Sequence, residues 1–268
     1  MVRIGALTTR AVVPLVASLG GLLDSKAMRA VLFDFGGTLD CPRHWLDRFL
    51  THYQAAGLKL GRTELAPAFE AATHTAYGAT ASLLNYNLRQ LIPYLVGLQL
   101  TFLGAEEKTK RPDLSKALRS PSAIDRVQRW ISEGFIGETE AGLARSRQVV
   151  APMAENLSIG VVSNFYGNLK WVLADAGFDG MISAIADSGR LGIYKPEAGI
   201  FEAALAMIGV RAAEAMMVGD SLEKDCAPAR RLGMRTVWLR HREARAPGDL
   251  AGVADFTITA LAELKELL

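Results

Sequence analysis

Three short apolar runs in this chain each close on a small polar or acidic residue, and that recurrence constrains the fold more than any other feature. They are Ala30–Asp34 (AVLFD), Ile159–Ser163 (IGVVS) and Ala215–Asp220 (AMMVGD). A near-continuous apolar run of this length, bounded by turn residues, reads as a strand buried on both faces. Gly36-Gly37-Thr38 supplies the turn after the first run. Arg235–Leu239 and Asp255–Ile258 look like further strands. Helical segments lie between them: Leu169–Ala176 before Gly177, Gly199–Ile208 before Gly209, and Asp225–Leu232 before Gly233, each glycine being a plausible stop. Strands alternating with helices imply right-handed crossovers and a parallel sheet covered on both faces. Ligands of such sheets sit at the carboxyl ends of the strands. Asp34, Ser163 and Asp220 are therefore expected to face one crevice.

Residues 41–152 have a different character. Trp45, Phe49 and Tyr53 lie at helical spacing, as do Leu88, Leu91, Ile92 and Leu95, and then Ile124, Val127, Ile131 and Phe135. This reads as a helical domain inserted into a core made of residues 28–40 and 153–268. A break between Arg111-Pro112 and Ser120-Pro121-Ser122 is expected to divide it in two. Within residues 1–27, those from Ile4 to Leu23 are fairly apolar but interrupted by Arg10 and Pro14, which argues against a spanning helix. They are read as an extension ahead of Met28-Arg29-Ala30 rather than a targeting segment.

Composition excludes some function classes. Thirty Lys and Arg stand against 28 Asp and Glu, a formal balance of +2, so there is no bulk attraction to nucleic acid or to an anionic membrane. A small anionic substrate needs only a local cation. Two isolated cysteines, Cys41 and Cys226, make no disulfide framework, and reduced thiols in a cytoplasmic protein are expected.

Four groups could carry chemistry. Asp34, at a strand end beside Gly37 and Thr38, can act as a carboxylate nucleophile, although an Asp before a tight turn also serves as a cap. Ser163-Asn164 can bind an oxygen of a transferring group, or merely start a loop. Lys195, before Pro196, can offset developing negative charge, although most lysines are simply exposed. Asp220 and Asp225, with Asp34 opposite, form an oxygen-rich site suited to Mg²⁺. Asp225 could equally favour the dipole of a helix's first turn.

The order strand-Asp, strand-Ser, Lys-Pro, strand-Gly-Asp resembles the motif set of the haloacid dehalogenase-like superfamily, from Val31 to Leu239. The resemblance implies a Rossmann-like core with an inserted helical cap of the C1 type. It implies that Asp34 becomes an aspartyl-phosphate, that Ser163 binds the phosphoryl group, and that Lys195 steadies both. Asp34, the backbone carbonyl of Gly36 and Asp220 would hold Mg²⁺, and Asp225 would support the metal. The substrate implied is a small phosphorylated metabolite. Gly37, Thr38 and Asn164 would meet it, with Arg43 and His44 at the entrance to the site.

One departure matters. Phosphatases of this family usually carry a second Asp two residues after the nucleophile, which protonates the leaving group and later activates water, although some members with Gly there are similar to working sugar-phosphate phosphatases. Here that position is Gly36. Asp40, His44, a cap residue, the substrate or water could replace it. The departure also leaves open phosphonate hydrolysis through a cap lysine (Lys59, Lys108, Lys110 or Lys116), carbon–halogen cleavage, or ligand binding without turnover.

Overall fold

The computed structural model describes residues 28–106, 114, 118–241, 248 and 252–268. The expectations for residues 1–27, for Arg111-Pro112 and for Lys108, Lys110 and Lys116 lie outside them. Six parallel strands form one sheet: β1 (Ala30–Phe33), β2 (Ser158–Ser163), β3 (Ile182–Asp187), β4 (Ala215–Gly219), β5 (Arg235–Leu239) and β6 (Phe256–Ile258), in the order β3-β2-β1-β4-β5-β6. β1 is fully buried and sits between β2 and β4, with Val31 opposite Ile159 on one side and Met216 on the other. The order reverses at β1, and this switch point leaves a crevice at the carboxyl ends.

Alternation along the strands divides the core into two layers. Val31, Phe33, Ile159, Val161, Met216 and Val218 pack on one face, with α6 (Leu169–Asp175) and the last turns of α5 (Pro121–Ala154). Ala30, Leu32, Val162 and Met217 pack on the other, with α8 (Ala198–Ile208) and α9 (Ala227–Arg231). α7 (Ser188–Leu191) is a single turn after β3. Gly177, Gly209 and Gly233 all take positive φ after their helices, as the sequence suggested.

β3 was not foreseen, because ISAIAD mixes apolar and small residues and lacks the uniform run of its neighbours. The helix expected over Asp225–Leu232 differs too. Leu222–Cys226 is an irregular turn capped by Ser221, and regular helix begins only at Ala227. The Asp225 carboxylate folds back onto the Ser221 N–H instead of standing in a regular first turn.

Between β1 and β2 the described residues contain helices and no strand: α1 (Trp45–Ala55), α2 (Arg62–Gly78), α3 (Thr80–Leu83), α4 (Leu88–Glu106) and α5. α5 starts where Ser120-Pro121 implied, the Ser120 hydroxyl accepting from Ala123 N–H at 3.3 Å with Pro121 in the first turn. It then runs 34 residues back to the sheet. At Gly142 it passes so close to the site loop that a Cβ would lie 1.6 Å from the Asp40 carbonyl oxygen. One turn on, the Ser146 hydroxyl donates to the Leu39 carbonyl at 2.7 Å. The long helix therefore fixes the loop that follows the first site residue. Among the described residues no helix is long and apolar enough to cross a membrane, and Cys41 and Cys226 are free thiols.

Candidate active site

Asp34 leaves β1 at the switch point and is buried. Its Oδ1 accepts from Ser163 Oγ at 3.1 Å, at the end of β2, and from Lys195 Nζ at 2.6 Å. The same ammonium donates to Asp225 Oδ1 at 2.7 Å, while Asp225 Oδ2 accepts from Ser221 N–H at 3.0 Å. Gly37, with φ 92°, lets the chain pass beside Asp220, since a Cβ there would lie 2.5 Å from Asp220 Oδ2. Asp34, Asp220 and Asp225 each offer an oxygen, and these oxygens all lie within 4.8 Å of one another. Three separate strand ends thus converge.

The electrostatics follow from burial. It raises the pKa of Asp34 and pushes that of Asp225 up to about 7, with Lys195 pulling both back. Burial opposes the Lys195 ammonium as well, but Asp225 and Asp34 outweigh it, so its pKa is raised. The Lys195 ammonium pairs with Asp34 and Asp225 while Asp220 meets His241, and the three carboxylates keep oxygens open to a further cation. An all-oxygen donor set of this kind fits a hard divalent ion.

The loop around Asp34 is held by Asp187, His241 and Arg48, which sequence reasoning did not find, and by Asp40, which it weighed only as an acid. Asp187, at the end of β3, accepts from Gly167 N–H, Leu169 N–H and Gly189 N–H at 2.9–3.0 Å, and so fixes the segment after Ser163. His241 bridges Asp220 Oδ2 (Nε2, 3.0 Å) and the Pro42 carbonyl (Nδ1). The fully buried Asp40 accepts from Gly37 N–H at 2.8 Å, from the Trp45 indole N–H at 2.6 Å and from Arg48. Arg48 is fully buried too, with Thr139 and Glu138 as further partners. A buried Arg inside an insertion is the signal that could have revealed this hub.

A cavity of about 530 Å³ opens above Asp34, Ser163, Lys195, Asp220 and Asp225. Gly36, His44 and Asn164 line it as well. His44 caps α1 with Nδ1 accepting from Leu46 N–H, and burial lowers its pKa. Asn164 is committed to the Lys195 backbone, accepting from its N–H at 2.7 Å and donating to its carbonyl at 3.0 Å. It positions the lysine, a different task from the substrate contact expected. Arg43 and Thr38 also depart from expectation. The Arg43 guanidinium turns to Glu138, Thr51 and the Asp47 carbonyl, and is not among the cavity's lining residues. Charge pairing within the helical insertion draws it there. The Thr38 hydroxyl is buried without a hydrogen-bond partner among the described residues and does not line the cavity. Gly37 acts through its backbone and its closeness to Asp220. Of the lysines weighed for a phosphonate reaction, Lys59 is described and does not line the cavity; Lys224, which was not among them, does.

Known proteins resemble this chain in sequence and in fold. The chain is 37% identical to a phosphoserine phosphatase of Thermus thermophilus over 131 residues, which is 47% of this chain and 50% of that protein. It is 40% identical over 78 residues to a glyceraldehyde 3-phosphate phosphatase of Pyrococcus furiosus, 29% of this chain and 32% of that one. The chain thus spans half or less of these two curated relatives. Haloacid dehalogenase-like hydrolase domain-containing protein 3 of Danio rerio is 28% identical over 222 residues, 81% of this chain and 87% of its own. Among solved structures, the HAD-hydrolase YfnB of Bacillus subtilis superposes with a TM-score of 0.57 at 17% identity, over 91% of this chain and 99% of that one. A dehalogenase does so with a TM-score of 0.58 at 17% identity, over 92% and 99%. At such identities these two likenesses show the fold alone. The model for haloacid dehalogenase-like hydrolases matches residues 28–233, most of the chain, and the chain belongs to that family.

Proposed function

We propose that the protein is a Mg²⁺-dependent phosphatase acting on small phosphate monoesters through an aspartyl-phosphate at Asp34. The observation that carries this reading is the clasp on the Asp34 carboxylate: Ser163 at 3.1 Å, Lys195 at 2.6 Å, and the Asp220 and Asp225 oxygens within 4.8 Å. The relatives named as phosphatases support it. Asp34 presents a carboxylate in line with phosphorus. Ser163 donates a hydrogen bond to a phosphoryl oxygen, and Lys195 offsets negative charge as it builds. Asp34, Asp220 and the Gly36 carbonyl would hold the metal, with Asp225 holding Lys195 and supporting the shell. The bound ion would supply charge neutralisation at the phosphoryl group. The helices between β1 and β2 form the cap that closes the cavity. Residues 28–40 and 153–268 form the core, and the protein works in the cytoplasm.

A second reading, binding without turnover, draws on Gly36, which offers no proton-transferring side chain. A panel of phosphorylated metabolites assayed with Mg²⁺ and then with chelator separates the two. Turnover abolished by chelator and by Asp34→Asn supports the phosphatase. Activity surviving either treatment rejects the mechanism. Mg²⁺-dependent thermal stabilisation by ligand without turnover supports the binding protein.

A further inference from the structure

Two features of the cavity bear on its substrate independently. The first is its walls. Six of its seventeen lining residues are aromatic, against 7% of the whole chain. They come from both sides: Trp45, Phe69 and Tyr77 from the helical insertion, and Phe165, Tyr166 and Tyr194 from the sheet's loops. Their rings are already arranged for one another. Tyr77 lies 5.0 Å from Tyr166 at a tilt of 34° and 5.3 Å from Tyr194 at 81°, while Phe165 meets Tyr166 at 5.2 Å and Trp45 at 5.9 Å. Such faces and edges receive a planar ring. Of the lining cations, Lys195 is committed to Asp34 and Asp225, and Lys224 stands exposed. Among the described residues no arginine lines the cavity.

The second feature is the lack, beside Asp34, of the carboxylic acid that would protonate the leaving group. Gly36 has no side chain, and the Trp45 indole nitrogen stands 3.3 Å from where its Cβ would be. Asp40 is fully buried, with its carboxylate taken by Gly37, Trp45 and Arg48. The hydrogen bond that Leu46 N–H gives to His44 Nδ1 leaves the hydrogen of the neutral ring on Nε2, so His44 can donate a hydrogen bond but has no ready proton to release. Burial pushes Tyr166 up to about 12 and Tyr77 higher still. Loss of a general acid costs about 10²–10⁴ in rate when the departing oxygen must be protonated. An aliphatic alkoxide, whose acid resembles water at a pKa of about 15.7, pays that cost. A phenolate, whose acid has a pKa of about 10, leaves unaided.

We infer that this cavity selects aryl phosphate monoesters, in which an uncharged aromatic ring is joined to phosphorus through a phenolic oxygen. The inference rests on the phosphatase reading above and names its substrate class. An Asp34 carboxylate oxygen bonds to phosphorus as the P–O(aryl) bond breaks. The electron pair leaves on the phenolate, which takes a proton from water. A water molecule then attacks the aspartyl-phosphate phosphorus, its P–O(Asp) bond breaks, the Asp34 carboxylate is restored, and the water's proton passes to solvent.

The test uses the full chain with Mg²⁺ and five probes: phenyl phosphate, benzyl phosphate (the same ring on an alkyl oxygen), O-phosphoserine, glycerol 3-phosphate, and acetyl phosphate (a good leaving group without a ring). The expected kcat/KM for phenyl phosphate exceeds that for benzyl phosphate, phosphoserine and glycerol 3-phosphate by at least about 100-fold, the lower bound for a missing acid. A smaller ratio for any of the three overturns the inference. Tyr77→Ala is expected to reduce kcat/KM at least about fivefold more for phenyl phosphate than for acetyl phosphate, as loss of a ring contact should. Equal losses overturn recognition of the ring. Tyr77→Leu, which keeps an apolar side chain of similar reach, gives the same comparison if the alanine variant does not fold. Lack of turnover of every probe, acetyl phosphate included, overturns the phosphatase reading and this inference with it. Turnover led by an alkyl ester overturns the inference alone.

Discussion

The indole nitrogen of Trp45 stands 3.3 Å from the point that a Cβ on Gly36 would occupy, and the same indole donates to Asp40 at 2.6 Å. Trp45 therefore both fills the space beside Gly36 and is tied in place. The Gly36 backbone (φ −76°, ψ 111°) is open to any L-residue, so the obstacle to a side chain is steric only. Gly36→Asp should accordingly fold, at a cost of about 1–3 kcal/mol from overpacking against the indole. Turnover of alkyl phosphates should rise about tenfold or more, towards the range a positioned acid provides. Chemical denaturation and steady-state kinetics on one preparation check both parts. An unchanged or lower alkyl rate in the folded variant would show that an acid here cannot reach the leaving oxygen.

Lys195 is the one cation hydrogen-bonded to Asp34 and Asp225 among the described residues. Lys195→Met leaves buried carboxylates facing one another, and should destabilise the protein by about 3–5 kcal/mol in the presence of chelator. Mg²⁺ should recover more stability in this variant than in the wild type, because the ion then offsets charge that lysine otherwise shares. Calorimetric Tm values with and without Mg²⁺ measure the difference. Equal Mg²⁺ shifts in the two proteins would argue against a cation at these oxygens.

Asp40 holds Gly37, Trp45 and Arg48, and is expected to act as scaffold. Asp40→Asn leaves the Arg48 guanidinium buried without its nearest counter-charge, costing about 3 kcal/mol. The folded fraction should nonetheless keep its kcat to within about tenfold, whereas loss of a general acid would cost about 10²–10⁴. Kinetics below the variant's melting transition distinguish the two roles.

Glu138 gives the acid side of the stability profile a testable shape. Burial opposes its ionisation, but the hydrogen bond from His52 and the guanidinium of Arg48 outweigh it and hold the carboxyl down at about 2. The folded pKa lies below the unfolded value of 4.5. The stabilisation is therefore complete well above that value and is lost as pH falls towards about 2. Its size should be about 1–2 kcal/mol, less than the whole shift implies, because water screens a partly exposed carboxylate. Glu138→Gln should melt below the wild type near neutrality, with the gap closing under acid. A gap that persists at pH 2 would point to packing instead of charge.

Much of the framework was legible in the sequence because it is local. A buried parallel strand must be apolar throughout, so β1, β2, β4 and β5 stood out, and the polar residues at their ends marked the crevice. Glycine stops and the Ser120-Pro121 start announced helix ends for equally local reasons. β3 escaped because a strand near the sheet's edge can mix small and apolar residues. Leu222–Cys226 escaped because its shape is set by the Asp225 side chain folding back on Ser221.

The site divides in the same way. Strand ends, together with the resemblance of their order to the family's motif set, singled out Asp34, Ser163, Lys195, Asp220 and Asp225. The sequence could not decide that Arg43 turns to Glu138, that Asn164 serves the lysine backbone, or that Asp40 is locked by a buried Arg48. Nor could it show that Trp45 stands beside Gly36 and that six rings close around one cavity. Those outcomes depend on tertiary contacts, many between residues far apart in the chain, as between Arg43 and Glu138, 95 positions apart, and between Trp45 and Phe165. Side-chain packing and charge pairing across such distances are resolved only when the whole chain has folded, and no local pattern carries them.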